Sequence, residues 1–360
     1  MDGTTSNTSE VKAGWIRTRL QLDPIQKFFA GKSVPMHRHS FWYFFGGLSL
    51  FFFIVQIMTG MLLLIYYSPT PDAANESVHR IVFQVPFGWW IRSVHSWSAH
   101  LMVASVLVHM ASTFFMQAYG PPREIVWMSG VILLFLVLGF AFTGYLLPWD
   151  STAYFATQIG TEIPRSIPVL GEIIVRILRG SEFIGQETLR RLFALHVVIL
   201  PVAAFFMVIF HMLMNQLHGT SIPPGIQGEN RSIAFFPNYL YRDALAWSAG
   251  FLLLFWLSFM YPVNIGQKVD IYASAPPGIR PEWYFLTLFQ TLRWLPGTIM
   301  GINTELLVNL GVGALGIGFL ALPLIDRRSK RNERNMFIRV LGSIFVCYMM
   351  ISIIVAYMTS

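Results

Sequence analysis

Seven stretches of this chain contain no lysine, arginine, aspartate or glutamate: residues 41–67, 93–118, 125–149, 192–217, 244–267, 306–325 and 340–360. Each reaches the roughly 20 residues that a helix needs to cross the hydrocarbon core of a bilayer. Peptide groups in that core find no water, so a spanning segment is either a helix or part of a closed barrel. Unbroken apolar runs of this length point to helices. The expected fold is therefore an all-α integral membrane protein with seven transmembrane helices.

The remaining composition narrows the function. Charged residues make up 12% of the 360, about half of what a soluble domain carries. The only cysteine is Cys347. That excludes a disulfide framework, a thiolate iron–sulfur site and a CxxCH haem attachment within this chain. The net charge of +7 is explained by where the basic residues lie, so no nucleic-acid partner is expected. Lys12, Arg17, Arg19, Lys27, Lys32 and Arg38 precede the first span, and Arg327, Arg328, Lys330, Arg331, Arg334 and Arg339 separate the sixth from the seventh. Seven crossings put both groups on one face, the cytoplasmic one by the positive-inside rule. The loop after the third span, with five arginines against five acids, falls on the other face. The N-terminus is then cytoplasmic and the C-terminus periplasmic, as in a bacterial inner membrane. No apolar core of a cleavable leader stands in the first 40 residues. Residues 12–29 alternate Trp15, Ile16, Leu20, Ile25 and Phe28 with basic residues, the pattern of a helix lying on the interface.

Two spans carry the chemistry. The second holds His95 and His109, and the fourth holds His196 and His211. Separations of 14 and 15 residues approximate four helical turns, or roughly 21 Å of helix axis. The second and fourth spans run in the same direction, so His95 pairs with His196 near the outer face and His109 with His211 near the inner face. Two His–His levels suit two bis-imidazole haems stacked across a membrane. A single membrane histidine is more often a packed residue than a ligand. His100, rotated roughly 140° from His95, fits that plainer reading, whereas two pairs at matched spacing do not.

Other residues repeat or support the ladder. Gly46 and Gly60 in the first span, and Gly130 and Gly144 in the third, are also 14 residues apart. Glycine lets a flat macrocycle or another backbone come close, although small residues also serve plain helix packing. Arg92, one turn before His95, is placed to meet a haem propionate. Pro201 loosens its helix and is expected to absorb the extra residue between His196 and His211. Residues 163–180 read as two short surface helices that roof the outer face. Glu282, a carboxylate among aromatics at a membrane boundary, is a candidate proton acceptor. The loop after the fourth span offers His218 and Asp243.

These residues resemble the cytochrome b/b6 family, the membrane core of quinol-oxidising cytochrome bc complexes. The four histidines, GYLLPWD at 144–150 and PEWYF at 281–285 carry the resemblance, which covers nearly all of the chain after residue 35. FGWWIRSVHSWSAH, GSEFIGQETLRRLFALH and PEWYFLTLFQTLRWLP look closest to the photosynthetic branch, with cytochrome b6 and subunit IV fused. The implied organisation is a cytoplasmic leader (1–40), a four-helix di-haem bundle (41–218), a cytoplasmic loop (219–243) and a three-helix part (244–360).

The resemblance implies a low-potential haem on His95 and His196 and a high-potential haem on His109 and His211. It implies a quinol pocket from Tyr145, Pro148, Trp149, Glu282 and Tyr284, and a quinone-reduction site near His218 and Asp243. Quinol oxidation would send one electron to a Rieske iron–sulfur protein and one across the membrane, moving protons outward. A c-type cytochrome subunit and a homodimeric complex are further implied partners. Phe44 stands where the photosynthetic type has the cysteine that tethers a third haem, so a covalent c-type haem is not expected. Ser112 replaces the arginine that meets the inner propionate, leaving Arg38 and Arg123 as candidates. Two other classes also suit a polar ladder in a membrane: a di-haem anchor tying a peripheral dehydrogenase to the quinone pool, and a transporter with broken helices.

Overall fold

The structure, a computed structural model, describes residue 19 and residues 31–226, 231–276 and 278–359. The expected interfacial helix at 12–29 lies outside the described residues, apart from Arg19. Twelve helices organise the described chain: α1 Phe44–Leu64, α2 Ala74–Gln84, α3 Gly88–Phe115, α4 Glu124–Tyr145, α5 Ser151–Glu162, α6 Leu170–Arg179, α7 Gln186–Ala194, α8 Leu200–His218, α9 Leu240–Met260, α10 Leu286–Trp294, α11 Thr304–Leu320 and α12 Met336–Met358. Six continuous helices are long and apolar enough to cross a membrane: Ser40–Leu64, Gly88–Phe115, Glu124–Tyr145, Gln186–His218, Phe235–Met260 and Met336–Met358. The seventh apolar helix is α11, at 17 residues. Each of the seven expected apolar stretches is helical, six at spanning length and the seventh shorter.

Their boundaries follow local chemistry. The fifth helix stops at Met260 rather than running to 267, because Pro262 forces Tyr261 out of the helical region. Asp243 therefore sits in the first turn of α9, not in the preceding loop. The sixth apolar run breaks after Leu320, and a helical turn Leu322–Ile325 with Pro323 at its start follows. Residues 163–180 form one 3-10 turn and one helix, α6, rather than two helices, since Pro164 and Pro168 leave only a turn between them. The unforeseen partner of α6 is α5, which Asp150 caps by accepting from the Ala153 N–H at 2.9 Å.

Long-range hydrogen bonds sort the loops into two faces. On one face, Tyr67 donates to Leu147 O (2.7 Å), Asn75 to Pro148 O (3.1 Å), and Lys268 bridges to Glu76 (3.1 Å). On the other, strand β1 (Ser33–Met36) pairs antiparallel with β2 (Arg231–Ala234). There Tyr43 also donates to Ser221 O at 2.5 Å and Arg334 to Pro224 O at 3.0 Å. Arg38 of the first basic segment thus shares a face with Arg334 and Arg339 of the second, as the crossing count requires. Between the faces, Phe52, Met102, Val103, Val137 and Leu254 form a buried core among α1, α3, α4 and α9.

Asp326 anchors the basic face. Its carboxylate accepts from Tyr119 Oη (2.7 Å), Asn335 Nδ2 (2.8 Å) and the backbone N–H groups of Arg328 and Ser329. Burial opposes the charge, but the hydrogen bonds from Asn335, Tyr119, Ser329 and Arg328 outweigh it and hold the carboxyl below its ordinary value. Its stabilisation is full above the unfolded pKa of about 3.9 and is lost as pH falls through the lower folded value. Asp326→Ala strips a buried phenol and amide of their acceptor. A thermal melt of the detergent-solubilised protein at neutral pH should show a loss of about 2 kcal/mol. The deficit should narrow on acidification, and a deficit independent of pH counts against the charged network.

Candidate functional site

The four histidines do form two levels. At the level nearer the 144–150 turn, the rings of His95 and His196 are 6.4 Å apart between centroids and inclined by 76°. A metal–imidazole bond of about 2.0 Å on each side, plus roughly 1.2 Å from each nitrogen to its ring centre, sums to about 6.4 Å. The gap would take one metal ion between two imidazoles. At the other level, His109 and His211 lie within electrostatic reach of each other.

Each ring is backed by one of the four repeated glycines. A Cβ on Gly60 would stand 3.3 Å from His95 Cε1, and one on Gly144 would stand 2.6 Å from His196 Cε1. At the second level the corresponding distances are 3.1 Å from Gly46 to His109 and 3.3 Å from Gly130 to His211. The 14-residue interval recurs because α1 presses on α3, and α4 on α8, at both levels. The glycines make room for the imidazoles themselves, a sharper role than approach to a macrocycle.

The extra residue between His196 and His211 is absorbed where a helix defect was expected. Residues Leu195–Ile199 form a π turn immediately before Pro201. The wider turn under-rotates and returns His211 to the phase that a 14-residue interval gives.

The residues that orient the histidines were not singled out in the sequence. His95 Nδ1 meets Thr59 Oγ1 at 2.9 Å, His211 Nδ1 meets Ser129 Oγ at 2.9 Å, and His196 Nδ1 meets Thr143 Oγ1 at 3.2 Å. Each hydroxyl already donates its hydrogen to a carbonyl of its own helix, of Val55, Val126 and Gly139 respectively. Its lone pair therefore accepts from Nδ1–H, which leaves Nε2 bare for a metal. The signal was present as a hydroxyl residue directly before the glycine: Thr59-Gly60, Ser129-Gly130 and Thr143-Gly144.

The outer face also holds a cavity of about 350 Å³, lined by Tyr145, Thr152, Arg280, Glu282 and Tyr357. The turn at 144–150 and the 281–285 segment thus converge. Burial first, then Glu282 and Tyr145 nearby, pushes the Tyr284 phenol up, so it is a hydrogen-bond donor. Pro148, Trp149 and Tyr284 do not line this cavity. The Pro148 carbonyl accepts from Asn75, and Trp149 is buried against Tyr154 in the roof. His100, turned away from the ladder, accepts from Trp283 Nε1 at 3.2 Å and so braces the 281–285 segment.

The remaining predicted residues are more dispersed. Arg92 donates to Val263 O (2.7 Å) and Asn264 O (3.2 Å), clamping the loop after α9. Arg123 is spent on the carbonyls of His218, Gly219 and Thr220. Arg38 lines a second cavity, about 480 Å³, with Ser112, Arg334 and Arg339. His218 binds its own helix at Met214 O. Asp243 packs on Gly47, where a Cβ would come within 2.3 Å of Oδ1. No hydrogen bond among the described residues joins His218 to Asp243. Phe44 stacks on Tyr239, 5.6 Å between centroids.

Two family models match successive parts of the chain: cytochrome b/b6/petB over residues 29–219, and cytochrome b (C-terminal)/b6/petD over residues 272–360. A cytochrome bc complex cytochrome b subunit of Chlorobaculum thiosulfatiphilum is 44% identical over 350 residues, 94% of this chain and 79% of that protein. Cytochrome b6 of Cyanidium caldarium is 42% identical over 209 residues, 58% of this chain and 97% of that protein. Among solved structures, a hyperthermophilic respiratory Complex III matches with a TM-score of 0.85 and 28% identity, covering 96% of this chain and 91% of that one.

Proposed function

Since the chain belongs to the cytochrome b/b6 family, as the membrane subunit of a cytochrome bc-type oxidoreductase complex, we propose that it oxidises quinol at the cavity of Tyr145 and Glu282. One electron leaves to a Rieske iron–sulfur partner. The other crosses the membrane between the two histidine levels towards a quinone-reduction site near His218 and Asp243, on the cytoplasmic face. The observation that carries this reading is the His95–His196 spacing of 6.4 Å, sized for an iron between two rings.

His95 and His196 hold the outer b-type haem, and His109 and His211 hold the inner one. Haem, when bound, supplies one-electron chemistry. The chain supplies ligation, spacing and proton handling. Thr59, Thr143 and Ser129 fix three of the four imidazole tautomers. A guanidinium carries five donors, so Arg92 serves an outer propionate while still holding the 263–264 carbonyls. Arg38, with Arg334 and Arg339 beside Ser112, serves the inner propionates. Phe44, stacked on Tyr239, supports the absence of a third, covalent haem. The likeness to a respiratory Complex III supports a place in a respiratory complex; a c-type cytochrome partner and a dimeric assembly in a bacterial cytoplasmic membrane complete the reading.

Glu282 takes the quinol proton and releases it to the outer face, with the Tyr284 phenol behind it as a neutral neighbour. Glu282→Gln keeps the shape and removes the base. Quinol oxidation by the purified complex should fall about a hundredfold, with both haem bands intact in a reduced-minus-oxidised spectrum. Normal turnover removes Glu282 from the proton path. Copurified subunits test the reading as a whole: a Rieske protein and a c-type cytochrome support it, and a flavin or molybdenum subunit replaces it with a di-haem anchor.

A further inference from the structure

The fourth histidine breaks the pattern of the other three. His109 Nδ1 is buried and has no hydrogen-bond partner. The reason is one residue. Thr59, Thr143 and Ser129 each precede the glycine that backs a histidine, and the residue before Gly46 is Phe45. Phe45 offers no oxygen; its ring stacks on Trp42 at 5.7 Å and meets Phe41 edge-on at 5.9 Å. Neighbouring hydroxyls do not substitute. Ser112 and Thr113 donate to the His109 carbonyl, and Ser105 donates to Met102 O.

A hydrogen bond from Nδ1–H to an oxygen makes an imidazole a more basic ligand. A more basic ligand favours iron(III) over iron(II), in which one electron is added at the metal and the Nδ1 proton stays in place. Three histidines carry that bond and His109 does not. We propose that Phe45 is a potential-setting residue: by withholding an acceptor from His109, it holds the inner haem at a more positive potential than a Thr-Gly or Ser-Gly pair would. Its action is through His109, so Phe45 is a positioning residue. The inference rests on the di-haem reading above.

The test compares Phe45→Thr with Phe45→Val in the purified complex. The two side chains have nearly the same shape, and both lose the contacts to Phe41 and Trp42. They differ in the hydroxyl that meets Nδ1 at the other three sites. Each haem is followed by its α-band during an anaerobic dithionite titration. The His109/His211 midpoint in Phe45→Thr should lie below that in Phe45→Val by a tenfold change in the redox equilibrium, which is 59 mV for one electron. The His95/His196 midpoint should agree between the two. The reciprocal variant Thr59→Val removes the acceptor from His95 and should raise the outer midpoint by a similar factor, leaving the inner one in place. Equal inner midpoints in the Phe45 pair overturn the inference, as does an unmoved outer midpoint in Thr59→Val. A wild-type complex without two b-type components overturns the di-haem reading itself, and that result is seen before any variant is made.

Discussion

His196→Ala is expected to yield a complex whose dithionite-reduced α-band is about half that of the parent, with one b-type component gone and the other present. His95 and His196 stand 6.4 Å apart between ring centroids, on two helices whose other contacts do not depend on those rings. On the proposed ligation, removing one ring would leave the outer haem one protein ligand short, in an apolar site. The inner level is on the far side of the core of Phe52, Met102, Val103, Val137 and Leu254, so its ligands should be undisturbed. The same substitution at His109 should remove the complementary component, and together the two variants assign each band to a level. Loss of both components in both variants would mean that the levels assemble as one unit. Retention of both in either would remove that histidine from the ligand set.

Gly144→Ala should be nearly as damaging to the outer level, although it adds a single methyl group. The added Cβ would stand 2.6 Å from His196 Cε1, 3.0 Å from Nδ1 and 3.2 Å from Nε2. Alanine is the better helix former by about 1 kcal/mol, so an open site would gain stability. Under the proposed ligation the ring could not retreat, because the metal would hold its far side. Overpacking of this kind costs about 1–3 kcal/mol, and the penalty falls on haem binding. Gly46→Ala, at 3.1 Å, should be intermediate, and Gly60→Ala and Gly130→Ala, both at 3.3 Å, should be mild. Haem content per chain, measured as pyridine haemochrome, checks the order. Equal occupancy in Gly144→Ala and Gly60→Ala would mean that these glycines serve general helix packing instead.

The parts legible in the sequence are those written along single helices. Charge-free length gave seven spans, and the parity of crossings gave the face on which each loop lies. Histidine and glycine intervals are periodic, so one strand of text carries them. What escaped depends on two segments meeting. The hydroxyls of Thr59, Ser129 and Thr143 are ordinary helix residues until α1 is laid against α3, and α4 against α8. Trp149 and Pro148 belong to a motif that meets the outer cavity, yet only Tyr145 of the turn faces it. Arg92 was read against its own helix, and its donors went to carbonyls 171 and 172 residues away. The charge of Asp243 ends the apolar run and so marks a loop in the sequence, whereas the helix begins before it and Gly47 makes room for it.

The π turn at Leu195–Ile199 has a consequence for histidine spacing along a helix. A one-residue insertion in a straight helix rotates everything beyond it by roughly 100°, which would swing His211 off the ladder. A wider turn spends the inserted residue locally and restores the phase within one turn. The interval between two histidines on one helix is therefore not fixed by their alignment: a π turn lets 14 or 15 residues place the second ring in the same phase.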